Sequence, residues 1–198
     1  QVPHGSHTRA LTHRFVSQWR ALDAQTHAAR TARDLQPLQV QYRDVGGQPP
    51  AAIGANWITA VFSPEATPAR RAHLAQSDAL IAELRAADVL VLGVPMYNFG
   101  PPAAFKAWVD NVVRVGETFH FDEAALARGD DPYIPLLADK PRSVVLLSSR
   151  GDHGMQPGGP KAHLNHLDGA VQTALGLLGL TDWHSVAIEC DEFGGDLL

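Results

Sequence analysis

The chain has 198 residues, of which 45% are hydrophobic and 19% charged, so it can bury one substantial core and is not a disordered chain. Its formal net charge of −5 argues against a nucleic-acid or anionic-membrane partner, since both select a basic surface, and no apolar run approaches the ~20 residues of a membrane span. A single cysteine excludes an intrachain disulfide and is typical of a reducing compartment, so we expect a cytoplasmic protein in which Cys190 is buried at the end of an apolar run.

The first half of the chain predicts a helix, a strand and a long irregular segment before a second helix. The first helix is expected from Ser6, because apolar residues recur at helical spacing after it. Residues 38–43 alternate between apolar and polar side chains, which predicts a strand. Residues 45–68 are rich in Gly, Pro and Ala and are expected to be irregular. Within them, Trp57 and Phe62 either pack on the core or line a pocket or a subunit contact.

The second half alternates between unbroken apolar runs and amphipathic helices. The runs predict strands over 89–94, 143–148 and 185–190, each covered on both faces. Helices are predicted after Gly100 and over 162–178. This alternation predicts an α/β fold, a doubly wound parallel sheet with helices on both faces in three layers.

A loop follows the strand at 89–94, where parallel sheets bind ligands. It begins with a proline, carries two aromatic rings around an amide, and ends where a second proline pair opens a helix. The amide side chain in the middle of this loop makes it too polar for simple core packing. The loop consists of Pro95, Met96, Tyr97, Asn98 and Phe99.

Five segments, in order and at matching spacing, resemble the FMN-dependent NADH:quinone oxidoreductase and azoreductase family. They are Ser6–Leu11, Pro95–Phe99, Phe105–Asp110 with Arg114–Phe119, Ser148–Gly151 and Leu175–Asp182. The resemblance implies a flavodoxin-like fold, with residues 1–198 as one FMN-binding domain. That fold has a strand before the phosphate loop and a closing helix after the last strand, so we expect both to be missing from this sequence.

The resemblance also implies how FMN is bound. The phosphate would lie at the start of the first helix, where amides and hydroxyls are available, although a plain helix cap gives the same pattern. The ring and ribityl chain would lie on the first loop, and the pyrimidine side on a second loop. The implied contacts are Ser6, His7, Thr8, Pro95, Met96, Tyr97, Asn98, Phe99, Ser149, Arg150, Gly151 and Asp152.

Two residues of the second loop have particular consequences. Arg150 either places a positive charge beside the N1–C2=O edge of the ring, which would stabilise the reduced flavin, or forms a surface salt bridge. Asp152 stands where the family usually has a second glycine, and a carboxylate there bears on the local backbone and on the reduction potential.

The implied reaction has two steps: NADH or NADPH gives a hydride to FMN, and a quinone or azo compound then receives the electrons in the same place. No residue is assigned as catalytic, and the reaction face would be lined by Tyr97, Asn98 and His153. The family is expected to be homodimeric, with an acceptor pocket containing Trp57, Phe119, Phe121 and His153.

Two alternatives remain open at this point. One is a non-enzymatic flavodoxin-type electron carrier, and the other is a regulator that has kept the fold and lost its flavin. No metal site is predicted, because His163 and His166 lie three residues apart without further ligands and are expected at the surface.

Overall fold

The computed structural model describes residues 6–31 and 36–190, apart from the side chain of His27. The helices in this part of the chain are α1 (His7–Gln25), α2 (His27–Thr31), α3 (Ala55–Phe62), α4 (Pro68–Ala86), α5 (Ala103–Val112), α6 (Glu123–Arg128) and α7 (His166–Gly176). The strands are β1 (Val89–Gly93), β2 (Phe119–Phe121), β3 (Tyr133–Pro135), β4 (Ser143–Ser149) and β5 (Asp182–Ile188).

The main sheet has the order β1, β4, β5, and both neighbouring pairs are parallel. Val89 lies opposite Ser143, which in turn lies opposite Asp182, so the carboxyl ends of the three strands meet at one edge. The central strand β4 is buried from Val144 onward because helices cover both of its faces. The predicted α/β fold with a parallel sheet is therefore confirmed.

Alternating side chains of β4 face the two helical layers. Val144 and Leu146 belong to one buried cluster with residues of α4, α5 and α7. Ser149 points to the other face, where its hydroxyl contacts Thr8 in the first turn of α1. The sheet is thus the middle of three layers.

The strand predicted over 38–43 is wrong. Leu38 and Val40 are half-buried, but Tyr42, which the alternation places on the same side, is exposed, and no strand is formed there. An alternating pattern favours burial of one side of a segment, but it does not provide a hydrogen-bonding partner for the backbone. Within the described ranges β1 pairs only with β4, so no neighbouring strand pairs with this segment. The strand expected before the phosphate loop and the closing helix lie outside the described residues.

The segment 45–68, predicted to be irregular, contains helix α3 after Gly54. Its apolar side chains recur at helical spacing, with Trp57 and Val61 one turn apart on the side that lines a groove. The abundance of Gly, Pro and Ala obscured this short helix in the sequence.

Two further boundaries differ from the prediction. The last strand is β5 at Asp182–Ile188 rather than 185–190, because it starts in register with the beginning of β4. The helix predicted over 162–178 is divided into a 3₁₀ turn, Ala162–Leu164, and α7. Asn165 causes the division, since its side chain accepts from the amides of Leu167 and Asp168 and caps α7.

A small antiparallel pair, β2 and β3, lies beside α6 between α5 and β4. Asp122 caps α6 by accepting from the amides of Ala124 and Ala125. Within residues 6–31 and 36–190, no helix combines the length and apolar character that a membrane span requires.

Candidate cofactor site

Three segments that are distant in sequence meet at Ser149, the last residue of β4. The hydroxyl oxygens of Thr8 and Ser149 lie 2.6 Å apart, and both residues are only 4% exposed. The amide of Met96 donates to the carbonyl of Ser149 at 2.9 Å. The predicted phosphate segment, first loop and second loop therefore lie together at the carboxyl edge of the sheet.

The start of α1 has the chemistry of an anion site. Ser6 is the N-cap, and its hydroxyl accepts from the amide of Arg9 at 3.3 Å. The amides of a first helical turn have no carbonyl partners within the helix, and the helix dipole is positive at this end. The first turn carries no acidic residue to neutralise that end. Ser6 and His7 are half-buried at this position.

A close packing contact fixes the height of α1 over the sheet. Gly93, the last residue of β1, has no Cβ, and a Cβ there would collide with the hydroxyl of Thr12 and approach the methyl group of Thr8. Thr12 is held in place because its hydroxyl donates to the carbonyl of Thr8 at 2.8 Å. The glycine therefore allows the phosphate end of α1 to approach the first loop.

The first loop ends in a tight turn that the sequence did not reveal. Tyr97 and Gly100 exchange both backbone hydrogen bonds, at 2.9 and 3.1 Å. Between them, Asn98 and Phe99 have φ angles of 49° and 68°. Two successive left-handed residues define a primed turn, in which an asparagine is common and a phenylalanine is strained. The signal available in the sequence was an asparagine, Asn98, two residues before Gly100. The bulky Phe99 between them is not typical of a hairpin turn, so the signal was missed.

This turn presents aromatic surface to solvent. Tyr97 is 62% exposed and Phe99 48% exposed, while Pro95 and Met96 behind them are half-buried. A Cβ at Gly100 would meet nothing within 4 Å, so the space beside the turn is open. Exposed rings beside an amide, close to a helix start, suit a ligand with a flat ring and an anionic group.

Arg150 opens the second loop with its side chain turned into the protein. The guanidinium is only 2% exposed and binds Asp168 at 2.7 Å and Glu189 at 3.4 Å. The alternative of a surface salt bridge is therefore wrong. The hydrogen bonds of the guanidinium that the structure shows are directed to these two carboxylates, and its backbone amide donates to Ile188 at 2.8 Å.

The next residues of the second loop form a local charged cluster. Gly151 and Asp152 are half-buried, whereas the side chain of His153 is 68% exposed. The carboxylate of Asp152 binds Lys161, accepts from the amide of His153 at 2.7 Å, and lies 3.1 Å from its Nδ1. The hydrogen bond from Lys161, followed by that from the amide, holds the pKa of Asp152 below its usual value.

The predicted acceptor-pocket residues separate into two places. Trp57, Phe119 and Phe121 line one cavity of about 380 Å³, together with Phe62 and Tyr133. The ring of Tyr133 is 5.9 Å from that of Phe119 and 5.5 Å from that of Phe121. Val61, Val113, Arg114 and Val115 complete the lining, so His153 does not belong to it. This set of residues is called the aromatic groove below.

The histidines considered as metal ligands lie at the surface. His163 and His166 are both exposed, on the 3₁₀ turn and at the start of α7. Among residues 6–31 and 36–190, no three His, Cys, Asp or Glu side chains are grouped as a metal ion requires. Cys190 is 7% exposed, which confirms that it is buried.

Comparisons with known proteins agree over almost the whole chain. Residues 1–194 match a family described as "Flavodoxin-like fold". An FMN-dependent NADH:quinone oxidoreductase of Opitutus terrae is 43% identical over 183 residues, which cover 91% of this chain and 78% of that protein. The FMN-dependent NADH:quinone oxidoreductase 2 of Idiomarina loihiensis is 37% identical over 195 residues, covering 98% of this chain and 74% of that protein.

A third relative and one solved structure extend this result. The FMN-dependent NAD(P)H:quinone oxidoreductase 1 of Pseudomonas aeruginosa is 38% identical over 193 residues, covering 96% of this chain and 83% of that protein. The crystal structure of an azoreductase from Bacillus anthracis superposes with a TM-score of 0.70 at 20% identity, covering 98% of this chain and 86% of that one, which shows the shared fold. The chain therefore belongs to the flavodoxin-like family of FMN-dependent NADH:quinone oxidoreductases.

Proposed function

We propose that this protein binds FMN and uses it to pass electrons from NADH or NADPH to a quinone or an azo compound. The observation that carries the proposal is the meeting of three loops at Ser149, in a chain whose relatives have this dependence on FMN. An anion-binding helix start and an exposed aromatic turn lie on either side of that residue. The residues present thus fit the two ends of FMN.

Each end of the cofactor is assigned to a different segment. Ser6, His7 and Thr8 would hold the phosphate through first-turn amides and hydroxyls. Tyr97 and Phe99 would supply apolar surface to the ring, and the amide of Asn98 can both donate and accept at a ring edge. Ser149 to Asp152 would hold the pyrimidine side. When bound, FMN supplies the hydride chemistry, so the protein needs no obligatory acid or base.

Tyr97, Asn98 and His153 are proposed to line the reaction face. All three are exposed at the carboxyl edge of the sheet, on the two loops joined by the Met96 to Ser149 hydrogen bond. Their part is to orient the nicotinamide and the acceptor at close range, since proximity and alignment contribute much of the rate of such transfers.

The aromatic groove supports a homodimer with an acceptor pocket. Phe62 is 72% exposed and Tyr133 47% exposed at its rim, although such side chains are usually covered. A second copy of the chain would cover them. Phe62→Glu is expected to yield a monomer by light scattering, while Leu22→Glu, at a 57% exposed position on α1, keeps the assembly. A Phe62→Glu protein that stays dimeric contradicts this assignment.

One experiment separates the proposed function from its alternatives. Any coloured cofactor is extracted from the purified protein and identified. The reduction of a quinone and of an azo dye by the protein is then measured with NADH and with NADPH as the electron donor. Sustained turnover supports the enzyme. Binding of FMN without turnover favours an electron carrier of the flavodoxin type, and a protein that stays colourless after FMN addition and dialysis favours a flavin-free regulator.

The cellular setting is proposed from the single cysteine. Cys190 is buried and cannot form an intrachain disulfide, which supports a reducing compartment such as the cytoplasm. Separate assays of the membrane-free and membrane fractions of cells expressing the protein test this assignment.

A further inference from the structure

Three charged side chains lie together beneath the second loop. The guanidinium of Arg150 is 2% exposed, and the carboxylates of Asp168 and Glu189 are 17% and 18% exposed. Nη2 of Arg150 donates to Asp168 at 2.7 Å, and Nη1 donates to Glu189 at 3.4 Å. These residues, called the ionic triad, connect the end of β4, the first turn of α7 and the end of β5.

The carboxylates of the ionic triad also bind the backbone of the second loop. Glu189 accepts from the amide of Gly154 at 2.8 Å and from that of Met155 at 3.0 Å. Asp168 accepts at 3.0 Å from the side-chain amide of Asn165, which also donates to the carbonyl of Met155 at 3.3 Å. Residues 150–155 are therefore attached at both ends to one buried network.

The same turn of α7 also contacts the first loop. The amide of His166 donates to the carbonyl of Phe99 at 3.0 Å, within the left-handed turn. The neighbouring residues Asn165 and Asp168 hold the second loop, as described above. One helical turn thus fixes the separation of the two loops assigned to the flavin ring.

The charge balance of the ionic triad argues against a direct electrostatic role for Arg150. Two carboxyl groups face one guanidinium, so the triad presents no excess of positive charge to a ring beside it. A buried ion pair is weak evidence for net stability compared with apolar packing, so the effect of the triad is sought in the loop geometry that its hydrogen bonds impose. We propose that Arg150 is a positioning residue: with Asp168 and Glu189 it fixes the second loop for the flavin ring, and it does not act as a charge at the ring. This proposal rests on the proposed binding of FMN.

The chain offers a matched control at the opposite end of the same strand. Arg142 precedes β4, its side chain is also only 2% exposed, and it binds Asp139 at 2.6 Å and the carbonyl of Leu137 at 2.7 Å. Arg142 lies at the amino edge of the sheet, away from both loops. A lysine at either position keeps the charge and loses part of the fixed hydrogen-bonding geometry.

The test measures the dissociation constant of oxidised FMN by flavin fluorescence, and the midpoint potential of the bound flavin. We expect Arg150→Lys and Glu189→Gln to weaken FMN binding about tenfold, or about 1.4 kcal/mol. Arg142→Lys is expected to bind FMN within about twofold of the wild type. Its loss of thermal stability is expected to be comparable to that of Arg150→Lys. Glu189→Gln is expected to leave the midpoint potential close to that of the wild type, because a less well positioned loop weakens the binding of oxidised and reduced flavin equally.

A direct charge at the ring gives a different pattern. Arg150→Lys would then keep the wild-type affinity, and Glu189→Gln would raise the midpoint potential at unchanged affinity, because it removes a negative charge beside Arg150. Either result overturns the positioning role. If Arg150→Lys does not fold, the affinity and potential of Glu189→Gln decide. A wild-type protein that binds no FMN overturns the proposed function together with this role, whereas equal binding by all variants overturns only the role of the triad.

Discussion

Thr8 and Ser149, 141 residues apart in the chain, share a buried hydrogen bond of 2.6 Å between their hydroxyl oxygens. Thr8 belongs to the first turn of α1, and Ser149 ends β4. Ser149 also accepts from the amide of Met96. The relative position of the helix start and the aromatic turn therefore depends on one residue of the central strand.

Loss of either hydroxyl leaves the other buried without this partner. Thr8→Val and Ser149→Ala are each expected to lower the free energy of unfolding by about 1–3 kcal/mol. The double variant is expected to lose less than the sum, because neither hydroxyl is then left unpaired. Urea unfolding of the four proteins measures this coupling. Thr26→Val, which removes an exposed hydroxyl of the α1 cap, is the control and is expected to change stability by no more than about 0.5 kcal/mol. Strict additivity would show that the contact contributes nothing.

The contact between Gly93 and Thr12 is expected to determine how closely α1 packs on the sheet. Gly93→Ala places a Cβ against the hydroxyl of Thr12 and should destabilise the protein by about 1–3 kcal/mol, since either that hydroxyl must give up its hydrogen bond to Thr8 or α1 must move away from the sheet. Adding Thr12→Ala removes the colliding oxygen and is expected to restore most of the loss. Thermal unfolding of both variants checks this. FMN affinity should follow the same order, and a double variant no better than Gly93→Ala would refute the steric explanation.

The central strand β4 could be predicted from the sequence because it is buried on both faces, whereas β5, expected to be covered in the same way, is largely exposed, with Val186 51% exposed. Val144 to Leu147 form an unbroken apolar run, which has few other interpretations in a chain of alternating helices. The sequence of segment 38–43 alternates as that of a strand does but forms none, since a strand depends on a hydrogen-bonding partner that its own sequence does not encode. Helix α3 was missed because its eight residues follow a Gly- and Pro-rich stretch.

The segments that form the site could be predicted from the sequence, but the contacts between them could not. The resemblance indicated the loops at 6–8, 95–99 and 149–152, whereas their meeting at Ser149 depends on long-range packing. Arg150 shows the limit most clearly. Its identity is compatible with a ring contact, a surface pair or a buried ion pair, and only the positions of Asp168 and Glu189, 18 and 39 residues away in sequence, decide between the last two.

Acid titration should reveal the interaction between Asp152 and Lys161. The folded-state pKa of Asp152 lies below its usual value of 3.8, chiefly because Lys161 donates a hydrogen bond to it. The stabilisation is therefore complete above the unfolded-state pKa and is lost as the pH falls through the folded-state pKa. We expect the stability difference between wild type and Asp152→Asn to be constant near neutral pH and to shrink below about pH 4. Urea unfolding across this range measures it. Lys161→Met should return the pKa of Asp152, followed by carboxyl NMR, toward 3.8; an unchanged pKa would contradict the assigned cause.

Phe99 combines backbone strain with exposed aromatic surface, and two substitutions separate these properties. At a φ of 68°, a residue with a Cβ is strained by about 1–2 kcal/mol, whereas glycine is not. Because glycine also loses about 0.5–1 kcal/mol through the entropy of the unfolded chain, Phe99→Gly is expected to be about 1 kcal/mol more stable than Phe99→Ala. Both variants lack the ring and should bind FMN about equally weakly. Urea unfolding gives the first comparison and flavin fluorescence the second. A Phe99→Gly protein that binds FMN as tightly as the wild type would show that the turn serves only the backbone. Weakened binding together with higher stability than Phe99→Ala would show that the strained turn is maintained to present the ring of Phe99.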